Sequence, residues 1–75
     1  MDFGTLDLRH LRLVRAIVEE GTLTAAAERL MLSQPALSHQ LRDVENRLGI
    51  ALFERRGRAL VLTEAGARVL DSARV

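Results

Sequence analysis

Residues 30–49 read LMLSQPALSHQLRDVENRLG, and the fold turns on how they are read. Leu37, Leu41, Val44 and Leu48 recur at spacings of four, three and four, which is one apolar stripe of an α-helix. Ser33 is a strong N-cap candidate, and Pro35 is tolerated only because it falls in the first turn, where its missing N–H has no partner to lose. Gly49 carries the signal for a helix stop. With the stripe inward, geometry turns Gln34, Pro35, Ser38, His39 and Arg42 outward and, one turn on, Glu45 and Asn46. A solvated helix face ordinarily carries Glu and Lys. This one offers Gln, Ser, His and Arg, side chains that hydrogen-bond base edges. Its N-terminus also presents unpaired N–H groups and the positive dipole end, which suit a phosphate. On polar composition alone, a plain solvated face is an equal reading.

Upstream, AAAERL forms the centre of a short helix over about 24–31, with Thr22 or Thr24 as its cap. Ala25, Ala26 and Ala27 are either plain helix filler or a surface for close approach. In so short a helix between two others, close approach is the better reading. Before it, a first helix is predicted over about 7–20, capped by Asp7 and stopped at Gly21. Leu8, Leu11, Val14 and Val18 are its expected apolar stripe, and Arg9, Arg12 and Arg15 its basic ridge. Residues 1–6 read as a frayed leader. The second helix, a tight turn at Met31-Leu32 and the third helix make a helix-turn-helix.

Downstream, GIALFERRGRALVLTEAG predicts a β-hairpin with residues 52–55 paired to residues 59–62. Gly57 supplies the turn, and Arg55, Arg56 and Arg58 cluster around it. A basic wing beside such a helix reaches phosphates or a narrow minor groove, where negative potential favours Arg. Thr63 caps a fourth helix with Glu64 in its first turn, favourable against the dipole. That helix runs through Val69 and Leu70 to the end of the sequence, with no stop signal.

Composition agrees with this organisation. The chain has 75 residues, enough for one small domain. It is 48% hydrophobic and its only aromatics are two Phe, so the core must be aliphatic, which favours helices over strands. There is no cysteine, so disulfides and thiolate metal sites are excluded. No apolar run approaches the roughly 18 residues of a membrane span, and the polar N-terminus is not signal-like. A soluble cytoplasmic protein is expected. The net charge is +1, yet all eleven basic residues are Arg. A high-GC coding bias accounts for the missing Lys but not for where the charge falls. Residues 1–30 carry four Arg against five acids, residues 31–62 five against three, and residues 63–75 two against two. The positive excess coincides with the third helix and the wing.

The pieces AAAERL, SQPALS, LRDVENRLG, LFERRGR and LTEAG, in this order and spacing, resemble the N-terminal winged helix-turn-helix of LysR-type transcriptional regulators. The resemblance covers about residues 6–75. It implies a mainly α fold: a three-helix core with a β-hairpin wing over 1–62, then the start of a linker and dimerisation helix over 63–75. It implies sequence-specific binding to interrupted palindromes in promoter DNA, as a homodimer or homotetramer. Carried across residue by residue, Gln34, Pro35, Ser38 and His39 lie at the major groove and Arg58 in the minor groove. Arg9, Thr22, Thr24 and Ser33 approach phosphates or groove edges, and Arg42 falls on the contacting face. Arg56 is expected on a phosphate, while Arg55 matches a position with a partly structural role. Val69, Leu70 and Ala73 are expected to form part of a dimer seam, to pack on the first helix, or both. Most members have Arg where this sequence has His39, and ALSHQ with the following Asp43-Val44-Glu45 resembles the subgroup that regulates methionine biosynthesis. A neutral His lacks the bidentate fork of Arg, so any base preference tied to that Arg does not transfer. The family's effector domain, and with it the small-molecule site, is expected in the parent protein after residue 75.

Other classes fit poorly. His10 and His39 fall on different helices, and no phosphate loop, metal-ligand spacing or nucleophile elbow is present. No enzyme, cofactor or metal is therefore expected. Single-strand binding needs aromatic platforms, which two Phe cannot provide. The remaining alternative is a winged helix used for protein–protein docking, which has no need of three Arg at the wing.

Overall fold

The computed structural model describes residues 8–72. In order it contains α1 (Leu8–Glu20), α2 (Leu23–Leu30), α3 (Gln34–Leu48), β1 (Phe53–Arg56), β2 (Ala59–Leu62) and α4 (Glu64–Ser72). This is the winged helix-turn-helix expected from the sequence. The proposed Asp7 cap, the leader and Ala73 lie outside the described residues.

The turn between α2 and α3 rests on local chemistry at both ends. Thr22, not Thr24, is the α2 cap: its backbone is extended and its Oγ1 accepts the Ala25 N–H at 3.1 Å. At the other end Met31 adopts the left-handed conformation, φ 60°. Its N–H reaches the Glu28 carbonyl at 3.1 Å, and the Leu32 N–H reaches the Ala27 carbonyl at 2.9 Å. That is a Schellman stop made without glycine. Ser33 Oγ then accepts the Ala36 N–H at 3.2 Å, and Pro35 sits in the first turn of α3. Gly49, at φ 70°, closes α3 by donating to the Glu45 carbonyl at 2.8 Å.

The core gathers Leu13, Val14, Ala16 and Ile17 of α1, Ala26 and Ala27 of α2, Leu37, Leu41 and Val44 of α3, and Leu52, Phe53 and Val69. The α1 helix packs against α2, α3, α4 and β2. Its buried face differs from the expected stripe: Leu8 is 61% and Val18 39% exposed, while Leu13 and Ile17 are buried. Both sets have helical spacing and share Val14. A helix packed on several sides buries a broader band than a simple amphipathic one, and here that band centres on Leu13 and Ile17. Ala26 and Ala27 are buried as close approach requires, whereas Ala25 is only half-buried. At the surface, Arg29 bridges back from α2 to Glu19 at 2.6 Å and Glu20 at 3.4 Å. The hydrogen bond from Arg29 to Glu19 raises the pKa of the guanidinium.

The hairpin begins one residue later than predicted, with Phe53 opposite Leu62 and Arg56 opposite Ala59. The Leu52 N–H is taken instead by the Glu45 carboxylate at 2.7 Å. Arg56 joins Arg55 in the strand, and the turn is Gly57-Arg58. Gly57 alone has positive φ, 62°, the sign pattern of a II′ turn. Thr63 caps α4 as predicted: its Oγ1 accepts the Gly66 N–H at 2.9 Å and donates to the Ala51 carbonyl at 2.7 Å. Val69 is 1% exposed, and its side chain packs in this chain's own core, the second of its two expected placements. Leu70 is half-buried against the same core.

Candidate nucleic-acid interface

On α3, Ser38, Arg42 and Glu45 follow at intervals of four and three and so share one face. The hairpin packs alongside that face. Alternation along β1 puts Phe53 and Arg55 on its inner side, opposite Leu62 and Leu60, and Glu54 and Arg56 on its outer side. A cleft of about 260 Å³ results, walled by Ser38, Arg42 and Glu45 on α3 and by Phe53, Arg55 and Leu60 on the hairpin. Next to it is a smaller hollow of about 70 Å³. Thr22 and Thr24 at the start of α2, Gln34 at the start of α3, and Arg55 and Arg58 of the wing line it. The Leu60 N–H donates to the Gly21 carbonyl at 3.0 Å, which holds the second strand against the α1–α2 turn.

Six of the residues singled out in the sequence thus line one surface: Thr22, Thr24, Gln34, Ser38, Arg42 and Arg58. Ser33, Pro35 and His39 are exposed at the start of α3 without lining either hollow. Arg9 is not brought to this surface; it lines a separate hollow with His10, Gln40, Asp43 and Arg47. Arg56 lies on the outer face of the hairpin, ion-paired with Glu54 at 3.2 Å.

Two residues have roles that the sequence alone did not reveal. Arg55 is the one charged side chain common to both hollows, and the inner-face alternation with Phe53 is the signal that could have placed it there. Glu45, expected to face out, is half-buried and bonded to the Leu52 N–H. That bond is tertiary and leaves no local signature.

The surface is electropositive by its unpaired charges. Among the described residues Arg42, Arg55 and Arg58 make no ion pair. The capping hydroxyls of Thr22 and Ser33 accept from their helices and so keep their own protons to donate. Hydroxyl, amide and guanidinium donors on a convex helix start, flanked by a cationic hairpin, suit a polyanion with hydrogen-bonding edges.

Comparison with known proteins agrees. The family model for bacterial regulatory helix-turn-helix proteins of the lysR family matches residues 8–67. The RuBisCO operon transcriptional regulator of Allochromatium vinosum is 48% identical over 69 residues, covering 92% of this chain and 23% of that protein. The regulator MetR of Haemophilus influenzae is 43% identical over 68 residues, covering 91% and 22%. The crystal structure of a CbnR DBD–DNA complex superposes with a TM-score of 0.83 at 40% identity, covering 92% of this chain and 79% of that one. The chain spans about a quarter of the length of these curated relatives. It belongs to the LysR family of bacterial regulatory helix-turn-helix proteins.

Proposed function

We propose that the chain is the DNA-reading part of a bacterial transcriptional regulator and binds duplex DNA with sequence preference. The observation that carries this reading is the convergence of the α3 start, the α2 start and the unpaired Arg55 and Arg58 on one surface. The α3 helix enters the major groove, with Gln34, Pro35, Ser38, His39 and Arg42 at base edges and adjoining phosphates. The wing follows the backbone into the neighbouring minor groove, led by Arg58 and Arg55. Thr22, Thr24 and Ser33 hydrogen-bond phosphates, and Arg56 and Arg9 add charge from the flanks. The similarity to a DBD–DNA complex at 40% identity supports the same docking. The docking-module alternative leaves the two unpaired wing arginines without a purpose.

In the parent protein, dimer or tetramer assembly would place two such surfaces on the halves of a palindrome. Leu70 and the part of the linker from Ala73 onward are the seam residues that remain after Val69. No helix among the described residues is long and apolar enough to cross a membrane. Action on DNA places the regulator in the cytoplasm, and its effector would bind elsewhere in the parent protein. Relatives as different in name as a RuBisCO operon regulator and MetR are similarly close, so the methionine hint rests on ALSHQ and the following Asp43-Val44-Glu45.

The test is a titration of a labelled duplex, selected from a random library against this chain, beside a scrambled duplex at two salt concentrations. Preference for the selected duplex and a negative salt slope are expected. Equal binding of both, or none, would overturn the reading.

A further inference from the structure

We propose that Glu45 is a positioning residue for DNA binding, which fixes the wing at a set distance from the recognition helix. This rests on the DNA-reading function above and deepens it. A carboxylate on the reading face is at first sight misplaced, because it shares the cleft with Arg42 and Arg55 and faces the side where phosphates would come. Its bonds resolve this. Glu45 Oε2 accepts the Leu52 N–H at 2.7 Å and the Phe53 N–H at 3.4 Å. Its main-chain carbonyl accepts the Gly49 N–H at 2.8 Å and the Ile50 N–H at 3.3 Å. One residue of α3 therefore gathers four N–H groups from the segment that leads into β1.

Leu52 is fully buried and Phe53 nearly so. With Glu45 removed, the partly buried N–H of Leu52 loses its acceptor. The Leu52 carbonyl is held as well: it accepts the Thr63 N–H at 2.9 Å. Both ends of the hairpin thus meet at Leu52, and Glu45 ties that residue to the recognition helix. Groove spacing on DNA is fixed, so a wing whose offset from α3 wanders meets its phosphates only part of the time.

The experiment is a double-mutant cycle read by salt slope. In the wild type, Arg58→Ala lowers the slope of log affinity against log salt by about one. In Glu45→Ala the wing is loosened, so the same Arg58→Ala changes the slope little. Glu45→Gln keeps a side-chain acceptor for the Leu52 N–H while removing the charge, and it restores the effect of Arg58→Ala. Amide hydrogen exchange at Leu52, measured without DNA, speeds up in Glu45→Ala and not in Glu45→Gln. An Arg58 effect of the same size in all three backgrounds would overturn the proposal, as would unchanged Leu52 exchange. Absence of duplex binding by the wild type would instead overturn the DNA-reading function itself. If Glu45→Ala does not fold, the Glu45→Gln arm decides: loss of the Arg58 effect there, with native exchange at Leu52, shows that charge and not position matters.

Discussion

Gly66 on the first turns of α4 lies against the carbonyl oxygen of Leu52. A Cβ at this position would overlap that oxygen and come within 2.9 Å of Leu62 Cδ1. The obstacle is backbone, which cannot swing aside as a side-chain end can. Gly66→Ala is therefore expected to destabilise the domain by about 1–3 kcal/mol, the range for overpacking, although alanine is the better helix former. Urea unfolding of the two chains measures it. A gain in stability, as helix propensity alone predicts, would show that α4 can shift off Leu52 without loss.

Met31 offers the opposite case. It holds φ 60° with its side chain 92% exposed, so it bears the steric cost of a left-handed residue and gains no packing. Met31→Gly is expected to raise stability by roughly 0.5–1 kcal/mol, the relief of that strain less the added freedom of glycine in the unfolded chain. Thermal melts would detect it, and a lower Tm for the glycine variant would mean that the methionine side chain holds the turn by packing on a neighbour.

The recognition helix is legible in the sequence because everything that shapes it is local. Ser33, Pro35, Gly49 and the Leu37–Leu48 stripe act within a few residues of one another, and all behave as their chemistry predicts. The α1 stripe is not, because Val14 belongs to two helical faces, and only the position of the neighbouring helices chooses between them. The hairpin register slips by one because the turn is two residues, Gly57-Arg58, rather than three, and turn length fixes register. Alternation puts Arg55 on the same face as the buried Phe53 and Arg56 on the other, wherever the strand starts.

Close packing of α2 makes its own prediction. Ala26 is fully buried, in contrast to the half-buried Ala25 beside it. Ala26→Leu must force extra methylenes into the helix interface and is expected to lose about 1–3 kcal/mol. Ala25→Leu has room at the surface and should change stability by less than about 0.5 kcal/mol. Chemical denaturation of both variants separates them, and equal losses would return the triple alanine to plain helix filler.

The division of labour on the reading surface gives the last test. Ser38 lines the cleft beside Arg42, and His39 is exposed one residue on, both in the first turns of α3 where base edges are reached. Ser38→Ala and His39→Ala are expected to reduce discrimination between the selected and the scrambled duplex, by about 1–3 kcal/mol for each good hydrogen bond to a base that the substitution removes. Arg55→Ala and Arg58→Ala remove unpaired cations from the wing side of the same surface. They should weaken both duplexes alike and make the salt dependence shallower by about one phosphate each. Arg56, already paired with Glu54 on the outer face, should matter less than either. Fluorescence anisotropy across a salt series reads affinity and slope together. If the α3 and wing variants lowered affinity in the same pattern, the separation of base reading from phosphate anchoring would be wrong. Arg56→Ala exceeding Arg55→Ala would reverse the assignment of the hairpin's inner face to DNA.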